Sequence, residues 1–451
     1  MHSSQSYGAV LEYPSPAEPA GQILSTRLDT RNDEPEWSLA TRIAFRFFAV
    51  YLFLFAVANR AIPGAGYLTE KFEALQHTIV PWLGRHILHL SYKITVFPNG
   101  SGDTTFNYVE MLTLLAVAAA ATAVWSVLDR KRTNYTHLHR WIRLLFRITL
   151  GFMMIEYGSA KAIPMQMPAP YLSTLFETYG NASPMGLLWT FIGASAPYES
   201  FCGVAEMLGG VLLFVPWLST LGALICIGAL SNVFMLNMSY DVPVKLFSFH
   251  LLVMALFLVA PDLRSLADLF LFRRKARLIT NVPLFRRNWL TRTAVVLQIV
   301  AGVCLSTTAL YQVYKYVHTP PDKVPFSGIW SVEEFAADGN VLPPLLTDKT
   351  RWQRIIFEMP GVLSVQSMDG SFEYYRLNVD EAQKSFTLKK GRRDPNWQTQ
   401  LQYQGPQTGP LTLEGTFEGH KINAKLNHVD TPKFLLTSRG FHWINEYPNN
   451  R

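Results

Sequence analysis

Long apolar runs alternate with short polar segments from about residue 40 to residue 314. Seven of these runs lie near 40–60, 106–128, 142–163, 198–216, 219–239, 243–260 and 290–314. Apolar runs of roughly 18–25 residues match the thickness of a bilayer's hydrocarbon core, so about seven transmembrane helices are predicted. Pro216 and Trp217 mark a tight turn between the fourth and fifth. Two intervening segments are not simple linkers. Residues 68–97, with Trp82 and His86, and residues 169–193, with Tyr171, Phe176, Tyr179 and Trp189, have the spacing of amphipathic helices lying on a membrane surface. After Tyr316 the period changes to two. Leu411, Leu413, Gly415 and Phe417 share one face, and Thr412, Glu414, Thr416 and Glu418 share the other. That alternation predicts strands with one buried side.

Composition agrees with this division. The chain has 451 residues, 49% hydrophobic and 16% charged, well below the charged fraction of roughly a quarter usual in soluble proteins. Residues 1–36 are rich in Ser, Pro and Glu, lack an apolar core and read as a disordered tail with no cleavable signal peptide. Residues 37–317 form the helical membrane domain, the Pro-rich stretch 318–325 is a linker, and 326–451 form a β-domain. Turn signals at Asp338-Gly339, Asp369-Gly370, Gly405-Pro406 and Gly419 divide the last segment into roughly eight short strands, as in a small antiparallel barrel. Gly328-x-Trp330 at its start and Arg439 near its end resemble the lipocalin-type barrel. In that family an Arg packs across the Trp at the closed end, which implies the same for Arg439 and Trp330.

Charge sets an expected orientation. The β-domain holds equal numbers of acidic and basic residues, so the net +7 lies in the rest of the chain. There the basic residues flank apolar runs. Residues 129–147 carry Arg130, Lys131, Arg132, Arg140, Arg143 and Arg147 against one acid, and 264–292 carry eight basic residues against Asp268. The positive-inside bias puts both loops in the cytoplasm, with loops 61–105 and 164–197 outside. An odd number of spans then leaves the N-terminus cytoplasmic and the β-domain extracytoplasmic, as for a multi-pass protein of the cytoplasmic (inner) membrane. The lipid bilayer is the expected partner. The basic balance is read as topology and not as nucleic-acid binding.

The candidate chemistry is polar side chains inside the spans, which are rare there and usually face a bundle interior. The third span carries Glu156 and Lys161. The fourth carries Glu199, Gly203, Glu206 and Gly210 at i, i+4, i+7 and i+11, one helical face on which acids alternate with small residues. The fifth carries Asn232 and Asn237. Asp241, Pro243 and Lys245 break the chain before the sixth, which holds His250. Glu206 and His250 lie at similar expected depth and are the candidate catalytic pair, sharing a proton. Asn237, Asp241, Lys245, Lys161, Glu156 and Asn232 are the candidate substrate-binding residues. The structural alternatives are interhelical hydrogen bonding for Asn232 and Asn237 and a local ion pair for Asp241 and Lys245. An unpaired charge at Glu206 costs roughly 2.5–3.5 kcal/mol, so it is expected to be paired or protonated. Cys202, Cys226 and Cys304 stand singly in apolar segments and read as small hydrophobes. The histidines lack metal-ligand spacing, so no metal is expected, and no haem, phosphate-loop or dinucleotide motif is present.

Arg147…Gly151…Gly158…Lys161, followed by Glu206-x-x-Gly209-Gly210-x-x-Leu213, resembles the DoxX/DoxD family of four-helix membrane proteins. Asn237…Tyr240-Asp-Val-Pro-Val-Lys245 is similar to a signature of its longer members. The resemblance covers residues 143–263. It implies a DoxX-like four-helix core within a membrane all-α helical bundle, carrying a C-terminal extracytoplasmic antiparallel β-barrel. It also implies quinone-linked oxidoreductase chemistry and an extracytoplasmic redox partner, with quinone as the implied cofactor. A proton-coupled transporter or channel, and a non-catalytic membrane assembly factor, are the alternatives the same charges allow.

Overall fold

The computed structural model describes residues 36–96, 100–274, 284–320, 323–391, 394 and 396–449. The expected N-terminal tail thus lies, but for Glu36, outside the described residues, as do Pro321 and Asp322 of the expected linker.

Every predicted span is a helix. They are α1 (Leu39–Ala58), α3 (Thr105–Leu128), α4 (Thr136–Ala162), α7 (Ala196–Phe214), α8 (Ser219–Ser239), α9 (Lys245–Val259) and α11 (Asn288–His318). Between them lie α2 (Gly66–His86), the short α5 (Leu172–Phe176), α6 (Pro184–Gly193) and α10 (Leu263–Phe270). α2 overlaps most of its length with the segment 68–97, and α6 falls within the segment 169–193, both read as interfacial helices. Helix starts follow from local chemistry. Ser38 Oγ accepts from Thr41 N at 3.1 Å before α1, and Thr104 and Asn107 form a capping box at α3.

Among the described residues, five helical stretches are long and apolar enough to cross a membrane: Leu39–Ala58, Thr105–Leu128, Pro216–Ser239, Lys245–Phe270 and Asn288–His318. The chain is therefore a multi-pass membrane protein. α4 and α7 are not among the five. α4 carries arginines through its first half, and α7 is 19 residues long with two acids. These two helices pack against each other along glycines. A Cβ on Gly203 would lie 2.1 Å from Ala162 N and 2.5 Å from Gly158 O, and one on Gly210 would lie 2.9 Å from Gly151 O. Only glycine lets the backbones come so close. Gly209 and Gly222 do the same where α7 meets α8.

The C-terminal strands are β1 (Gly328–Ala337), β2 (Asn340–Val341), β3 (Trp352–Met359), β4 (Val362–Ser367), β5 (Phe372–Asp380), β6 (Ser385–Lys389), β7 (Gln398–Gln404), β8 (Leu411–Phe417) and β9 (His420–Val429). All neighbouring pairs are antiparallel. β1 also pairs with β9, from Ile329↔Val429 to Ala337↔Ile422, so eight strands close into an up-and-down barrel while β2 only folds back on β1. This is the closure that lipocalins use. Its interior is filled by side chains, Phe326, Trp330, Phe357, Phe386 and Leu401 among them, as expected of an eight-stranded barrel. Gly328 has φ +123°, and a Cβ there would meet the His428 ring at 2.5 Å. That ring packs edge-on to Trp330, whose Nε1 donates to Phe326 O at 2.7 Å.

One expectation for the barrel is corrected. Arg439 does not cover Trp330. It follows a short exposed helix, α12 (Leu435–Ser438), and donates to Asn445 Oδ1 at 2.6 Å. Among the described residues the barrel's buried arginine is Arg351, which donates to the carbonyls of Leu342, Trp352 and Glu333 at 3.1, 3.1 and 3.2 Å. Arg439 lies beyond the last strand, so no ladder directs it inward. The barrel also touches the loop between α4 and α7. Glu358 accepts from Ser173 N at 3.3 Å, and the Arg354 guanidinium stacks 4.0 Å over the Phe176 ring.

Candidate functional site

Glu206 and His250 fall in two separate polar centres where one shared pair was expected. The first lies between α4 and α7. Lys161 Nζ contacts both oxygens of Glu206, at 2.8 and 2.7 Å, and both side chains are buried. Two turns toward the start of α7, the fully buried Glu199 accepts from Met167 N at 2.9 Å through Oε1 and so holds the chain leaving α4. Its Oε2 has no hydrogen-bond partner among the described residues. The paired branch of the expectation for Glu206 therefore holds, with lysine as the counter-ion.

The second centre is His250 on α9. Its Nδ1 lies 2.6 Å from Leu246 O, and its Nε2 lies 2.5 Å from the Tyr51 hydroxyl on α1. A carbonyl can only accept, so Nδ1 carries hydrogen. In the neutral ring Nε2 is then the acceptor and Tyr51 donates. The Phe55 ring stacks on the imidazole at 4.3 Å. Glu206 and His250 are thus not partners, contrary to the shared-proton pair expected from their depth. Equal depth on two helices says nothing of azimuth, and each residue turns to a different neighbour.

The turn between α8 and α9 is a third polar cluster. Lys245 Nζ bonds Asp241 at 2.8 Å, the local pair expected at the helix break. Asp103 caps α9 from outside its own segment, accepting from Lys245 N at 2.8 Å and Leu246 N at 3.0 Å. Asn237 donates to Ser248 Oγ at 3.0 Å and so ties α8 to α9. Asn232 is exposed on α8 and does not join them.

A cavity of about 1120 Å³ opens among α1, α3, α4, α9 and α11. Phe55, Leu114, Phe152, Met153 and Phe247 supply apolar walls; Arg60, Glu110, Glu156, Gln166, His250 and Gln312 supply polar ones. These polar residues lie toward the ends of α1, α3, α4, α9 and α11 nearest the barrel. Of the residues singled out from sequence, His250 and Glu156 line this cavity. Glu206, Lys161, Asn232, Asn237, Asp241 and Lys245 do not. Sequence reasoning missed Tyr51, Arg60, Glu110, Asp103 and Gln166. Glu110 was legible as an acid inside an apolar run. Tyr51 was not, because a tyrosine in a membrane helix carries no charge to mark it.

Among the described residues no cluster of three His, Cys, Asp or Glu could hold a metal ion. Cys202, Cys226 and Cys304 are free thiols. A stretch of 134 residues is 32% identical to the uncharacterized protein YwoB of Bacillus subtilis (strain 168), covering 28% of this chain and 79% of that protein. No family model matches the chain, and no solved structure matches it.

Proposed function

The chain belongs to the same family as the uncharacterized YwoB protein of Bacillus subtilis, and we propose that it is a DoxX-like membrane component of a quinone-linked redox system. The observation that carries this reading is the large, mostly apolar cavity with His250, itself bonded to Tyr51, on its wall. Its volume exceeds that of most drug-sized sites and suits a polar ring with an apolar tail. The residues fit such a molecule: Phe55 and Phe247 offer flat apolar surface, and His250, its tautomer set by Leu246 O, offers Nε2 as a proton acceptor when the Tyr51 hydroxyl gives it up. A bound quinone supplies two-electron, two-proton chemistry. The protein's part is to bind the ring, exclude water and hold a proton between Tyr51 Oη and His250 Nε2. Glu110 and Glu156 stand on the same cavity wall as carboxylates able to pass protons toward its mouth. In this reading the protein sits in the cytoplasmic membrane with seven spans, the N-terminus inside, and the barrel outside as the dock for a redox partner. The filled barrel interior favours docking over carriage of an apolar ligand.

The assembly-factor reading draws on one observation. The Lys161–Glu206 pair is closed on itself, which suits a residue pair that joins helices.

The test is direct. The full chain purified in mild detergent should release quinone on solvent extraction, identified by mass spectrometry. A short-chain quinone analogue should bind saturably, and His250→Ala should weaken it roughly tenfold, as expected when a buried hydrogen-bond partner is lost. No extracted quinone and no saturable analogue binding would sink the reading. Proton flux across vesicles driven by another substrate would replace it with transport.

A further inference from the structure

The segment after β9 lies outside the barrel's strands and exposes its apolar side chains. Leu435, Leu436, Phe441, Trp443, Ile444 and Tyr447 are all exposed, Trp443 by 90% and Tyr447 by 85%. Single exposed apolar residues are ordinary, but six within thirteen positions form a patch, and such patches mark a contact. The segment cannot tuck into the barrel, whose interior is already filled by Phe326, Trp330, Phe357, Phe386 and Leu401. Nor can it cross the bilayer. Residues 434–447 fall short of the roughly 20 a membrane helix needs, and Arg439, His442, Asn445 and Glu446 interrupt them.

The fold brings this segment to the membrane. β1 begins ten positions after the membrane helix α11 ends, a reach of at most about 35 Å. β9 runs antiparallel to β1, with Ile329 opposite Val429 and Ala337 opposite Ile422. The chain therefore leaves the barrel at the same end by which it entered from α11. Side-chain contacts agree. Phe434 packs edge-on to Phe176 of α5, with ring centroids 5.0 Å apart, and α5 lies on the loop between α4 and α7. Arg354 of β3 covers the same Phe176 ring. The composition suits the head-group layer, where Trp and Tyr place their apolar bodies toward lipid and their polar edges toward water. Charge is balanced, with Lys433 and Arg439 against Asp430 and Glu446. Burial of apolar area, not attraction to anionic lipid, is then the driving force.

We propose that residues 434–447 lie in the interfacial layer of the adjoining leaflet and fasten the barrel to the bilayer at a second point, beside the connection from α11. The partner is a lipid surface of any head-group charge. The inference depends neither on the ligand of the large cavity nor on which side of the membrane the barrel faces.

The test uses the full chain carrying Cys202→Ala, Cys226→Ala and Cys304→Ala, placed as single copies in phosphatidylcholine discs that contain nitroxide-labelled lipid. A fluorophore on Glu446→Cys, within the segment, should be quenched about threefold more than one on Gly339→Cys. Gly339 follows the far end of β1, a strand spanning about 30 Å. Phosphatidylglycerol discs should give the same difference. Adding Phe441→Ser, Trp443→Ser and Ile444→Ser, all at exposed positions, should bring quenching at position 446 down to that at 339 while the circular dichroism spectrum stays unchanged. Equal quenching at the two positions in the unsubstituted segment would overturn the proposal. So would undiminished quenching after the three serine substitutions, or quenching confined to phosphatidylglycerol, which would make charge the driving force. Shielding of position 446 only in discs that hold two copies would overturn it in favour of a face between copies of the chain.

Discussion

Lys161 and Glu206 are the clearest case of a residue whose meaning depends on its partner. Each is costly alone inside an apolar bundle, and each is tolerated because the other lies within 2.8 Å. Lys161→Met or Glu206→Gln alone should destabilise the bundle by about 3–5 kcal/mol, the usual cost of stranding half of a buried pair. The double variant Lys161→Met/Glu206→Leu should be more stable than either single one, since no charge is left behind. Detergent-solubilised thermal unfolding reads the difference, and a double variant that loses the sum of both single effects contradicts the pairing. The two asparagines show the limit of reading residues singly. Asn232 and Asn237 lie five positions apart, about 140° around a helix. One faces Ser248 on α9 and the other is exposed. Their shared chemistry in the sequence hides that difference, which only the packing direction of α8 reveals.

At the scale of elements, helices and strands were legible wherever periodicity was strong. The seven apolar runs became seven helices, and the alternation at 411–417 became β8 with Leu411, Leu413 and Phe417 inside. The turns between strands carry a pH dependence. The Asp338 carboxyl is held below its usual range first by its hydrogen bond from His420 and then by the Lys421 amide. Thr350 does the same for Asp348, and Ser371 for Asp369. All three therefore fold preferentially as anions. Their contribution is fully present above the ordinary aspartate value near 3.8. It is lost as pH falls from that value through the lower folded values. The barrel should accordingly melt at lower temperature at pH 3 than at pH 6. Replacing all three with Asn should lower the melting temperature at pH 6 and flatten its fall with acid. Circular dichroism of the full chain in detergent, followed at a β-sheet wavelength, checks this, and an unchanged slope in the triple variant contradicts it.

At the scale of the whole molecule, cavities lie at both ends of the bundle. The large one opens at the end joined to the barrel, and a smaller one, lined in part by Arg143 and Arg147, lies at the end rich in Arg and Lys. The charge asymmetry of the loops predicts which end faces the cytoplasm. A cysteine placed at the exposed Gly339 should react with an impermeant thiol reagent in intact cells or spheroplasts, in a background lacking Cys202, Cys226 and Cys304. A cysteine at the exposed Arg132 should react only after permeabilisation, and the reverse pattern would invert the orientation and put the barrel inside. The sequence by itself determined that this chain is a bundle of apolar helices followed by a β-domain, because burial periodicity is local and is written into neighbouring residues. It also marked the glycine face of α7, since spacing along one helix needs no partner to be read. Only the tertiary structure decided that Glu206 pairs with Lys161, that His250 pairs with Tyr51 and that Asp103 caps α9. Those contacts join residues 45, 199 and more than 140 positions apart, and their geometry depends on how each helix is rotated about its axis, which no local pattern encodes.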